Sequence, residues 1–168
     1  MSAEAINAVS PSPIPEELRA LASREPEKPF GPRHIWYTIY ASGYGWVQAV
    51  RDGQTATGLR GMKRIEAAEI MVVGVRGIWF RAHMENFGWM DWTWAAEGDF
   101  TTVGQPNSSL RMEALSLGLP DGDLCAEVYV QNFGWQGKRC SSDSADRIVT
   151  VGTTGHSLQL EALILTIT

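Results

Sequence analysis

Residues 33 to 168 contain three copies of one unit, and this periodicity restricts the possible folds more than any other feature of the chain. "YTIYASGYGW" ends at Trp46, "FRAHMENFGW" at Trp89 and "AEVYVQNFGW" at Trp135, giving spacings of 43 and 46 residues. Downstream, "KRIEAAEIMV", "LRMEALSLGL" and "LQLEALILTI" place Glu66, Glu113 and Glu161 at spacings of 47 and 48. Two separate landmarks keep one period, the mark of a repeat architecture. The copies span 33–74, 75–120 and 121–168. A unit of that size cannot bury its apolar face alone, so the three are expected to close around a pseudo-threefold axis and share one core.

Each copy reads as β-structure. The opening segments alternate, with Tyr37, Ile39 and Ala41 in the first copy and Phe80, Ala82 and Met84 in the second, which is the period of a half-buried strand. The closing segments also alternate, but their phase slips at the Glu-Ala pair. Leu110, Met112 and Ala114 give way to Leu115, Leu117 and Leu119, and the other two copies slip at the same place. A one-residue slip moves every side chain to the other face, so the pattern predicts a β-bulge or bend three times. The links "GVRG" and "PDGD" predict hairpins between copies. The middle segments, rich in Gly, Thr, Ser and Asn, predict a short strand and loops near the surface. The fold class is therefore all-β with pseudo-threefold symmetry, β-prism-like, with a β-trefoil as the alternative.

Residues 1–32 differ in kind from the β-domain of 33–168. They hold most of the eight prolines and almost no aromatic residues, so they read as an arm. Within it, "PEELRALASR" offers one short helix, with Pro15 at its start and Glu16 and Glu17 in the first turn. A helix of that length is marginal alone and must pack on the body or on a neighbour if it is ordered.

Composition narrows the function. The 168 residues, 44 % of them apolar, suffice for one sizeable core. The net charge of −5 supplies no attraction to nucleic acid or to an anionic membrane. No apolar run is long enough for a membrane span, and the N-terminus lacks the pattern of a classical signal peptide. His34, His83 and His156 stand singly, with no metal-ligand spacing, and no nucleophile or phosphate-cradling motif is present; neither metal nor cofactor nor catalysis is expected. Cys125 and Cys140 lie either side of the Asn132-Phe133 turn. Across a hairpin they would face each other as a disulfide, and in a reducing compartment they would stay as buried thiols; both readings remain open.

The repeated residues carry a resemblance. "AHMENFGWMDW" followed by "SLRMEALSL", and "YVQNFGWQG" followed by "GTTGHSLQLEALIL", resemble the clostridial hydrophobic-W (ChW) repeats of bacterial surface and secreted proteins. That pattern has an aromatic strand, a Gln-Asn-x-Gly-Trp turn, a Gly/Thr-rich loop, and Leu-Glu-Ala on an alternating strand. The first copy departs from it with Ser42-Gly43 and without the Thr-Thr-Gly loop, and the third lacks a second tryptophan. The resemblance implies a secreted or cell-surface binding module with carbohydrate or protein partners, and it implies no catalytic residues.

Two readings of the Gly-Trp motif compete. In the adopted one, Trp46, Trp89 and Trp135 fill equivalent places in the core; in the other, their rings are platforms for sugar faces. Trp92 and Trp94 are not shared between copies and are therefore the first candidates for ligand contact. Asn86, Asn132, His83, Glu113 and Glu161 are the further candidates, although asparagines often brace turns and the glutamates, with Glu66, can instead hold loop N–H groups at the bend. The leading expectation is a non-catalytic, lectin-like module that binds a glycan or cell-wall polymer through shallow repeated sites. The alternative is a structural or assembly protein whose arm docks on a protein partner or on another copy of itself.

Overall fold

In the computed structural model the described residues are 13–26, 28–58, 61 and 63–168, so the part of the arm before residue 13 lies outside the described residues. The first repeat contributes β1 (His34–Ala41), β2 (Gly45–Trp46), β3 (Val50–Arg51), β4 (Ala56–Thr57) and β5 (Ile65–Val73). The second contributes β6 (Gly77–Met84), β7 (Gly88–Trp89), β8 (Thr93–Ala96), β9 (Thr101–Gly104) and β10 (Met112–Gly118). The third contributes β11 (Leu124–Val130), β12 (Gly134–Trp135), β13 (Arg139–Cys140), β14 (Ile148–Gly152) and β15 (Leu160–Ile167).

These strands form three antiparallel five-stranded sheets that face one core, the prism-like arrangement rather than a single trefoil barrel. In every sheet the opening and closing strands of one repeat pair with each other, as β1 with β5, β6 with β10 and β11 with β15. The inward side chains include Ile35, Tyr37 and Ile39, then Ile78, Phe80 and Ala82, then Leu124, Ala126 and Val128, all in one buried cluster. Burial pushes the Tyr37 hydroxyl above the ordinary tyrosine range, and its O–H donates to the Gln54 carbonyl inside the protein.

The fifth strand of each sheet comes from the next repeat. β9 pairs with β5, β14 with β10, and β4 of the first repeat with β15 of the last, so the exchange runs round a closed ring. Ala56, Val103, Val149 and Val151 reach the shared core from these donated strands. The middle segments are thus more than the surface strand and loops expected. They bind each repeat to its neighbour, which is how units too small to fold alone become one body.

The exchange also overturns the expected hairpins between copies. β5 and β6 lie in different sheets, as do β10 and β11. The free edge of each closing strand is taken by the donated strand, so the next opening strand must begin a new sheet.

The expected bulge occurs three times. Register breaks opposite Glu66, Glu113 and Glu161, each skipped where the closing strand pairs with the opening one. The bulge turns the strand so that apolar side chains before and after it, such as Ile65 and Ala68, both face the core. The carbonyls of these glutamates hold the donated segments. Gln105 N and Thr153 N each donate at 2.9 Å to Glu66 and Glu113, and Thr57 Oγ1 donates at 3.1 Å to Glu161.

One cross-strand position is filled by different chemistry in each repeat. Trp36 faces Arg51, Trp79 faces Trp94, and Cys125 faces Cys140. The first pair is a cation–π contact at 5.3 Å, the second a tilted ring pair at 5.2 Å, and the third a disulfide. All three tie the outer edge of a sheet. A disulfide closing a sequence separation of 15 restricts the unfolded chain, so replacing both cysteines by alanine is expected to cost about 2–3 kcal/mol. The check is the urea midpoint, and an unchanged midpoint would mean that the strand pairing alone secures this edge.

Helix α1 (Glu16–Ala22) forms where "PEELRALASR" predicts it, with Pro15 as N-cap and Glu16 and Glu17 in the first turn. It packs on its own chain. Ile14 and Ala22, with Leu18 at their side, join Trp79, Trp92 and Ile148 in a second apolar cluster on the outer face of the second repeat's sheet. Trp79 Nε1 donates to the Leu18 carbonyl at 3.2 Å, and Arg19 lies over the Trp79 ring at 5.8 Å. Farther along, Arg33 Nη1 donates to the Thr168 carbonyl at 2.9 Å.

Candidate functional site

Each Gly-Trp motif sits in a tight turn at the end of an opening strand. The amide of Tyr44, Phe87 and Phe133 donates back to the carbonyl of Ala41, Met84 and Val130 at 2.9, 3.2 and 3.0 Å. The turn requires a positive φ two residues before each tryptophan's glycine, and Gly43, Asn86 and Asn132 supply it at 72, 69 and 63°. Asn86 and Asn132 therefore shape the turns, and Ser42-Gly43 in the first repeat is a conservative departure because glycine adopts the same conformation.

The turn length decides which way the tryptophans face. Trp46 pairs with Tyr40, Trp89 with His83 and Trp135 with Tyr129. Directly opposed residues share a face, and Tyr40, His83 and Tyr129 alternate with inward neighbours, so all three tryptophans point outward. Their rings meet Tyr40, His83 and Tyr129 edge-to-face at 5.5, 5.3 and 5.6 Å. The adopted reading of these tryptophans as core residues is thus corrected. Trp46 and Trp135 are 38 % and 39 % exposed, and Trp89 is half-buried.

Beside each tryptophan a second ring projects from the turn, Tyr44, Phe87 or Phe133. Of the six large hydrophobic side chains exposed among the described residues, five stand in these three turns, the sixth being Phe100. Such clustering distinguishes a surface feature from scattered apolar exposure.

The three turns stand round one end of the pseudo-threefold axis. Arg64, Arg111 and Gln159 hold equivalent positions, two residues before the bulged glutamates. Arg64 Nε donates to Gln159 Oε1 at 3.2 Å and its Nη1 to the Ser109 carbonyl, so all three repeats meet there. The first residue of each aromatic turn, Ser42, Glu85 or Gln131, donates its N–H to the carbonyl of Arg64, Arg111 or Gln159 at 2.8, 2.9 and 3.0 Å.

The remaining sequence candidates divide between this surface and the interior. Glu113 pairs with His83 Nδ1 at 3.0 Å and Arg111 Nε at 2.8 Å, and Arg111 Nη1 reaches Glu85 at 3.0 Å, so the Trp89 turn rests on a chain of hydrogen-bonded polar side chains. Glu161 accepts from Gln159 Nε2 at 2.7 Å. Glu66, fully buried, accepts from Ser108 N at 3.0 Å, the bracing role expected of a glutamate at the bend. Trp92 and Trp94 lie elsewhere. Trp92 is 8 % exposed within the cluster under α1, and Trp94 is partly buried against it. Arg81 is sandwiched between the Trp89 and Trp92 rings, 4.6 Å from each, and burial lowers its pKa from the ordinary arginine value. The division of an exposed Trp92 from a core Trp89 is therefore reversed.

Sequence reasoning passed over Tyr44, Phe87 and Phe133. The signal was present: a three-residue turn after an inward Ala41, Met84 or Val130 forces the following tryptophan outward and leaves the turn's own aromatic without a core to enter. Asp123, Cys125 and Cys140 also converge, but the cysteine sulfurs are bonded to each other. Asp123 is instead the hub of a hydrogen-bond network. Burial opposes its charge, but bonds from Ser141 and Ser142, with Arg147 nearby, hold its carboxyl below the ordinary aspartate range.

No curated protein and no solved structure matches the chain. Residues 83–121 and 129–168 match the family model described as Clostridial hydrophobic W, each match running from the residue that packs on the Gly-Trp tryptophan, through the donated strand, to the end of the closing strand or just beyond it. The second and third repeats are thus ChW repeats, and the first, which lies outside the matched residues, shares their topology.

Proposed function

We propose that this protein is a non-catalytic, multivalent binding module, lectin-like, that holds a glycan or cell-envelope polymer on the aromatic turns. The observation that carries this reading is the set of rings Tyr44 and Trp46, Phe87 and Trp89, and Phe133 and Trp135 around one end of the molecule. Flat exposed rings stack on the apolar faces of sugars, and the polar groups that brace the turns are placed to meet hydroxyls. Each site is shallow, but three on one rigid body raise the affinity for a repeating polymer by effective concentration. The disulfide suits an oxidising, extracellular setting. Among the described residues no helix is long and apolar enough to cross a membrane. No observation favours the alternative of an arm that docks on a protein partner, because the described part of the arm packs on its own repeat.

The test is a screen against glycans and cell-wall polysaccharides, run with the protein and with a W46A/W89A/W135A variant. The expected result is binding to a coherent sugar class, weakened at least about 100-fold in the variant while its circular dichroism is unchanged. Equal binding by both proteins, or no bound polysaccharide, would overturn the proposal.

A further inference from the structure

Away from the aromatic turns, the arm and the second repeat enclose a cleft of about 920 Å³. Its walls bring Arg24, Lys28 and Arg76 together with the rings of Trp94 and Phe30. Glu97 is the one acidic residue among the described residues of the lining, and its Oε2 accepts from Gly74 N at 2.6 Å. Among the described lining residues three cations thus stand against one anion, opposite in sign to a chain whose net charge is −5. Arg76 is only loosely engaged: its nearest carboxylate contact, to Asp121 Oδ1, is 3.5 Å, long for a charge-assisted hydrogen bond. Arg76 also forms a wall of a second cleft of about 400 Å³, whose charged lining is Arg19, Arg76, Arg147 and Asp146, again three cations against one anion.

We propose that the larger cleft binds an acidic saccharide chain, its carboxylates on Arg24, Lys28 and Arg76 and a sugar face on Trp94. Arginine forks match carboxylates, and an aromatic ring beside them supplies the surface on which a pyranose packs. The larger cleft, about 920 Å³, has room for more than one linked sugar. This site is separate from the aromatic turns, so it stands or falls independently of them.

The test is calorimetry on the full chain with hexagalacturonate, and with a neutral hexasaccharide and hexaglutamate for comparison. R24E/K28E is the informative variant, since both side chains are exposed. Hexagalacturonate is expected to bind, to lose about tenfold or more in affinity in R24E/K28E, to weaken with added salt, and to keep its affinity in W46A/W135A. Equal affinity for the neutral sugar, equal or tighter binding of hexaglutamate, or indifference to R24E/K28E would overturn the site. Loss of hexagalacturonate binding in W46A/W135A alone would move the acidic sugar to the aromatic turns, refuting this inference while leaving the proposed function intact.

Discussion

Replacing Gly152 with alanine is expected to lower the stability of the fold by about 3–5 kcal/mol, because two costs coincide at that residue. Its φ of 91° lies in the left-handed region, and a Cβ there would stand 2.4 Å from the Glu113 carbonyl oxygen and 2.8 Å from Ala114 Cα. Both neighbours are backbone and cannot swing away. They are also the bulge of the second repeat, to which the third repeat's donated strand is joined. Gln136 clamps the same glycine from the other side, accepting from its N–H at 2.8 Å and donating to its carbonyl at 3.0 Å. Gly155 provides the control: its φ is 76° but a Cβ would meet nothing within 4 Å, so Gly155→Ala should cost only the conformational term, about 1 kcal/mol. Denaturant midpoints decide the matter. If the two substitutions cost the same, close approach at the bulge is not what couples the repeats.

The second large effect is expected at Trp92. Trp92→Ala should cost about 3–5 kcal/mol, whereas Trp135→Ala should cost less than about 1 kcal/mol. Trp92 is buried against α1 and covers one side of the Arg81 guanidinium, so its loss leaves a cavity beneath the helix and a half-covered cation. Trp135 lies at the surface, 39 % exposed, with its ring edge-to-face on Tyr129, so its removal opens no interior cavity. Thermal unfolding measures the difference, and limited proteolysis in the arm, as at Arg24, should quicken only in Trp92→Ala. A larger loss from Trp135→Ala would reverse the assignment of interior and surface made here.

The relation between these two tryptophans shows what can be read along the chain. The repeat period, the alternation of the opening strands and the slip at Glu66, Glu113 and Glu161 are local patterns, and the structure reproduces each of them. They are legible because a strand alternates every two residues whatever it pairs with. The short helix was legible for the same reason, since its proline, acidic turn and length are near one another in sequence.

The candidate site was less legible. Gly-Trp recurs with the core period, and recurrence alone does not separate a shared interior from a shared surface. The orientation of Trp46, Trp89 and Trp135 follows from their registers with Tyr40, His83 and Tyr129, and so from the length of each turn. Trp92 looked free for ligand because one repeat alone has it, yet the described part of the arm covers that repeat and Trp92 packs beneath it, while Trp94 is only partly buried and lines the cleft beside the arm.

The sequence by itself determined three β-units, their bulges and the short helix, because those depend on neighbours within a few residues. Tertiary structure alone decided the exchange of strands between repeats, the face on which each ring lies, and the equivalence of Trp36 with Arg51, Trp79 with Trp94 and Cys125 with Cys140. These depend on which distant edge a strand meets. That is settled by closing the ring and burying one common core, a condition on the whole chain that no single segment contains.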